Sequence, residues 1–137
     1  MSDTQLDIEA LSRLKALRDF LPEFPDEKDE HGHLKHGHLY ERDENGNLKY
    51  RKDVINPYVE PLLESIGLKG WKYTLWRFQT SFWWEDLPGA VNIVPIRVIS
   101  PGARSDPGGV FGYGIMRTID GSVSVEPRLE AVFAVPP

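Results

Sequence analysis

With 137 residues, 40% hydrophobic and 27% charged, the chain has the length and balance of one soluble globular domain and is too short for two comfortable ones. A formal net charge of −5 with no basic stripe argues against nucleic acid as a partner, and the lack of cysteine removes disulfides, thiolate catalysis and cysteine-ligated zinc. No stretch reaches the ~20 apolar residues that span a bilayer, and "MSDTQLDIEA" lacks the basic start and apolar run of a signal peptide, so a cytoplasmic location away from membranes is expected.

Residues 3–21 predict an amphipathic helix. Leu6, Ala10, Leu14, Leu17 and Leu21 recur at spacings of three and four, Asp3 or Thr4 can cap the start, and Pro22 and Pro25 end it. The stripe is too short for a free coiled coil and must dock on a core.

Residues 26–53 carry eight Asp and Glu against six Lys and Arg, with all four histidines between positions 31 and 38. "DEHGHLK" at 29–35 and "DENGNLK" at 43–49 are one motif, in which His31 and His33 are exchanged for Asn45 and Asn47; "HGHLY" at 36–40 is a shorter echo. Gly enters positive φ freely, and Asn and His more readily than most residues, so the motif reads as turn chemistry. In the second copy a three-residue loop, Glu44-Asn45-Gly46, sets Tyr40 opposite Tyr50 and Glu41 opposite Lys49, making a charged hairpin arm over 39–52. This unit resembles the turn-and-strand unit of YD-repeat shell proteins; that family stacks many copies in series, and no such series is present here, so nothing is carried over.

The competing reading of the histidines is a metal site. Neutral imidazoles suit zinc or another divalent transition metal, but convergence of His31, His33, His36 and His38 needs a sharp bend at Gly32 or Gly37. No resident cofactor is expected, and the metal stands as the alternative. Protonating the four imidazoles in mild acid would move the formal charge from −5 to −1.

Residues 54–68 predict a short helix that starts near Asn56-Pro57, or only at Glu60 because of Pro61. Leu62, Leu63 and Ile66 form its buried side and Gly67 its stop. Residues 71–135 predict antiparallel strands. In "WKYTLWRFQTSFWW" the apolar residues are first odd (Trp71, Tyr73, Leu75), then even (Trp76, Phe78, Phe82, Trp84). That requires a bulge near Leu75-Trp76 or cover on both faces, and the run is long enough to bend and serve two sheets. "VNIVPIRVIS" is two-faced as well, with Val91 and Ile93 against Val94, Ile96 and Val98. "SPGARSDPGG" at 100–109 reads as a long connection, with Arg104 its only cation. Asp120-Gly121 predicts a two-residue hairpin pairing Thr118 with Val123, whose second face, bearing Arg117 and Glu130, is expected to be wet.

Two N-terminal helices followed by a mainly antiparallel, sandwich-like β region make a single α+β domain over 1–137. The strands carry more apolar surface than two helices can shelter, so the rest must be buried by the sheet folding over itself or by another subunit. Glu85, Asp86 and Asp106 are available acids without a catalytic motif around them, and the expectation leans away from an enzyme. The expected role is that of a non-catalytic structural or assembly protein, with a phage or bacterial particle as one setting, that meets a protein partner or itself through Tyr40, Arg42, Tyr50, Arg51, Trp83, Trp84 and Arg104. The alternative is a small-ligand or metal-binding module built on the histidines or the aromatic strand.

Overall fold

The computed structural model describes residues 1–85 and 89–137; Asp86 lies outside the described residues. Among those residues the chain forms two helices, α1 (Ile8–Phe20) and α2 (Lys52–Ser65). The strands are β1 (Ser2–Gln5), β2 (Tyr40–Arg42), β3 (Leu48–Tyr50), β4 (Lys72–Phe78), β5 (Phe82–Trp84) and β6 (Ala90–Val98), then β7 (Arg104–Asp106), β8 (Gly109–Val110), β9 (Ile115–Asp120), β10 (Val123–Glu126) and β11 (Leu129–Val135). They make two antiparallel sheets, one of seven strands in the order β1-β9-β6-β11-β4-β3-β2 and one of four in the order β5-β10-β7-β8.

The predicted stripe of the first helix is buried throughout, Leu6, Ala10, Leu14, Leu17 and Leu21 all being 5% exposed or less. Its start is not where Asp3 and Thr4 suggested. Residues 2–5 take the open edge of β9 as β1, where Asp3 lies opposite Arg117 and receives its guanidinium at 2.9 Å. The helix is capped by Asp7 instead, whose carboxylate accepts the Ala10 N–H at 2.9 Å. The second helix also begins earlier than expected, at Lys52, and runs through both prolines. Each proline removes a backbone hydrogen bond, a cost of about 3 kcal/mol in a helix interior. Burial of Ile55, Val59, Leu62 and Leu63 offsets it, at about 1.5–3 kcal/mol per large side chain. The helix closes where predicted: Leu68 N–H bonds Leu63 C=O at 2.8 Å around Gly67. Ile66 is only partly buried.

The charged hairpin has the expected register, with Tyr40 opposite Tyr50 and Glu41 opposite Lys49. It is not an arm, however. β3 pairs β4, so the hairpin forms one edge of the large sheet. The aromatic run resolves its parity by cover on both faces. Its β4–β11 register is unbroken, Tyr73 and Leu75 join the cluster under the helices, and Phe78 joins a second cluster with Trp76, Phe82 and Trp84 packed on it. The run bends after Phe78 and continues as β5 in the small sheet.

The bulge is elsewhere, where β6 meets β11: Glu130 faces Arg97, yet Ala131 faces Pro95. The extra residue, Ile96, puts Ile96 and Arg97 on the same side and returns Val98 to the side of Val91 and Ile93. Proline, which has no N–H to give the ladder, is tolerated at such a place.

Two further expectations are corrected. Asp120-Gly121 is not a hairpin turn: β9 has β1 on one edge and β6 on the other, so no edge is left for β10. The chain crosses there into the small sheet, where β10 lies between β5 and β7. Residues 100–109 are not a bare connection either, because they contain β7 and the start of β8, paired Arg104 to Val110. The small sheet contributes Val123 and Val125, with Ala103 and Phe111 beside it, to one buried cluster with Phe78, Val91, Ile93, Ile119, Leu129 and Phe133 of the large sheet. The apolar surplus of the strands is thus buried within the chain.

Candidate functional site

The two long copies of the turn motif fold alike. Asp29 Oδ1 accepts the N–H groups of His31 and His33 at 2.8 and 3.0 Å, and Asp43 Oδ1 those of Asn45 and Asn47 at 2.9 and 2.8 Å. Gly32 and Gly46 occupy the left-handed region at φ +80° and +84°. The third copy departs from this pattern, forming a single 3-10 turn at Gly37–Leu39. The histidines do not converge. His31 and His33 project from one turn with side chains 72% and 79% exposed and ring centroids 6.4 Å apart. His36 lies 3.8 Å from Glu27, and His38 is exposed on the 3-10 turn. Among the described residues no three His, Asp or Glu side chains are grouped to hold a metal ion.

A different cluster was not foreseen. Glu130, the second residue of β11, is completely buried, with Arg77 of β4 and Arg97 of β6 directly across the ladder on either side. Its Oε2 accepts from Arg77 Nη1 at 3.3 Å and Tyr50 Oη at 3.0 Å, and its Oε1 from Arg97 Nε at 3.2 Å. Burial, and the carboxylate beside it, push the Tyr50 phenol far above its ordinary range, so it acts only as a neutral donor. Arg97 also donates from Nη2 to the carbonyls of Arg18 and Leu21 at 2.6 and 2.8 Å, closing the C-terminal end of α1. The bulge makes this possible by turning Arg97 toward the helices. A readable signal existed: "YTLWRF", "VPIRVI" and "LEAVFAV" each carry one charge in an apolar run, and the signs are complementary.

Above this cluster a cleft of about 400 Å³ opens between α1, the segment that follows it and the loop before β9. Its walls include Arg18, Arg77, Arg97, Phe24, Phe111 and Tyr113. The Arg18 guanidinium lies 5.1 Å from the centre of the Tyr113 ring, and the buried Nε of Arg77 has no hydrogen-bond partner. A second buried guanidinium, Arg117, holds Asp3 and the carbonyls of Gly109 and Val110, which fastens β1 and the β7–β8 hairpin to the large sheet. The two charges expected on one wet face are instead both buried, Arg117 4% and Glu130 0% exposed, and lie on opposite faces of the large sheet, Arg117 across from Ile93 and Glu130 across from Arg97.

The seven residues expected to meet a partner are distributed unevenly. Tyr40 and Tyr50 are buried, Tyr40 donating to Pro25 C=O at 2.9 Å. Arg42 is paired with Asp26, and Arg51 lies 3.7 Å from Asp53. Trp84 packs inward on Phe82 and Phe133, each with ring centroids 4.6 Å away. Trp83 and Arg104 are brought together. Trp83 and Asp106 lie across from Ser124 on either side, and Arg104 across from Glu126 and Val110, so all six share the outward face of the small sheet. Trp83 is 65% and Val110 60% exposed there.

Among the described residues no helix is long and apolar enough to cross a membrane. The chain matches no protein-family model, no curated protein and no solved structure.

Proposed function

We propose that the chain is a sandwich-like, non-catalytic binding protein that associates through the outward face of the small sheet. The observation that carries this is Trp83, 65% exposed on a strand whose neighbours place Arg104 and Val110 on the same face. Tryptophan, tyrosine and arginine are enriched among the residues that carry the energy of protein interfaces, and Trp83 exposes its indole on the same face as Arg104. The face holds both signs of charge, Arg104 beside Asp106 and Glu126, so a second copy related by a two-fold axis can set the Arg104 of each copy against a carboxylate of the other. Self-association is the first arm of the reading and a separate protein partner the second. An assembled particle of a phage or bacterium, built in the cytoplasm, is the setting it suits. The two-faced strands of the large sheet bury their apolar surface within the chain, so association falls to this exposed face.

The test is the native mass of the protein from its own source, beside Trp83→Ala. A defined oligomer or complex is expected, weakened about 30-fold or more by the substitution, as for a central anchor. Trp83→Ala should leave unfolding within about 0.5 kcal/mol of the parent, since the side chain is exposed. A monomer without companions, or an assembly indifferent to Trp83, overturns the reading.

A further inference from the structure

We infer that the cleft beside α1 is a binding site for a small monocarboxylate with a flat apolar body. This site is separate from the small-sheet face and does not depend on it. Its charge is built in. Three guanidiniums, Arg18, Arg77 and Arg97, meet two carboxylates, Glu23 on the wall and Glu130 beneath, while the neighbouring Asp19 is balanced by Lys15 at 2.6 Å, which leaves a surplus of one positive charge. One carboxylate balances that surplus; a phosphate dianion would exceed it.

The cations are also held in place rather than waving in solvent. Arg77 and Arg97 are 5% and 14% exposed and are fixed by Glu130, and Arg97 is fixed again by the end of α1. Guanidiniums preorganised in this way give up little entropy when an anion arrives. Arg77 adds a direct sign of unmet demand, a buried Nε with no acceptor in a residue that lines the cleft.

The remaining wall selects for an apolar body. Phe24 and Tyr113, 64% and 41% exposed, stand at the same opening, with Ile96, Val98 and Phe111 behind them. Two large rings left in water at one mouth are the apolar half of an amphiphilic site, and about 400 Å³ is within the range of small-molecule pockets. Arg18, stacked over Tyr113, is the cation at the entrance that can move to meet the ligand.

The experiment is an amide-resonance titration of the intact protein with benzoate and 3-phenylpropionate at constant ionic strength, with inorganic phosphate and benzyl alcohol as comparators. Both carboxylates should shift the resonances of Arg97, Phe111 and Tyr113 saturably, with dissociation constants at or below about 1 mM, and raise the melting temperature. Arg18→Glu, an exposed change that turns the surplus charge negative, should weaken binding about tenfold or more; Arg18→Gln and Phe24→Ala should weaken it less. Absence of saturable shifts at these residues, equal response to phosphate or to benzyl alcohol, or binding unchanged in Arg18→Glu each overturn the assignment.

Discussion

Residues 27–35 and 41–49 are two versions of one hairpin with different fates. The likeness extends two residues beyond the seven-residue motif, since Glu27 and Lys28 stand where the second copy has Glu41 and Arg42, and the Lys35 N–H donates to Glu27 C=O at 2.9 Å much as Glu41 faces Lys49. In the first copy the ladder stops after the Lys28–Leu34 bridge, and His33 and Leu34 remain exposed. In the second copy Asn47 and Leu48 are both 0% exposed, and β3 goes on to pair β4. The difference lies in one side chain. Asn47 Oδ1 accepts the N–H groups of Gln79 and Thr80 at 2.8 and 3.0 Å, satisfying the backbone where the aromatic run bends from one sheet to the other. His33 has no such duty. Identical turn grammar thus yields a decorated loop in one place and a structural joint in the other.

Exchanging the distinguishing residues should break this contrast most strongly. Asn47→His removes the acceptor for two backbone donors and forces a larger ring into a closed site, and is expected to cost about 3 kcal/mol in urea denaturation. The reciprocal His33→Asn should change stability by less than about 0.5 kcal/mol. Comparable effects from the two would mean that the joint does not depend on Asn47.

The turn glycines give a smaller test. A Cβ added at Gly32 or Gly46 meets nothing within 4 Å, so alanine at either position costs only left-handed strain, about 1 kcal/mol. For Gly46→Ala that loss should appear in global unfolding. For Gly32→Ala it should appear as faster hydrogen exchange at Gly32, His33 and Lys35, with the global value lowered by less than about 0.5 kcal/mol, because a hairpin held by one bridge opens locally. Equal global losses would place both turns in one cooperative unit.

The smallest effect concerns pH. The Lys35 ammonium, 3.0 Å from the carboxylate, holds Glu27 below its ordinary value of 4.5, with a lesser contribution from His36. A carboxyl depressed by folding stabilises the fold above its unfolded pKa and loses that contribution as pH falls from about 4.5 through the folded value. Lys35→Met should move the Glu27 midpoint up toward 4.5 in a carbon-detected NMR titration and leave stability at neutral pH nearly unaltered, as an exposed pair is screened by water. A midpoint that stays where it was would show that the pair does not persist in solution.

What the sequence determined by itself is what acts over a few residues: the buried stripe of α1, the left-handed glycines and register of the second turn, the stop at Gly67, and the two-faced character of β4 and β6. Periodicity and φ preferences are set by neighbouring atoms, and they survive in any fold that accepts the chain. What only the tertiary structure decided is which partner each element found. Asp3 went to Arg117 in an edge strand rather than to a helix cap, and Asp120-Gly121 became a crossing between sheets because both edges of β9 were occupied. Glu130 lost all its water because a bulge at Ile96 delivered Arg97 to it. Edge vacancy and the pairing of buried charge are properties of distant segments meeting, and no window of local sequence contains them.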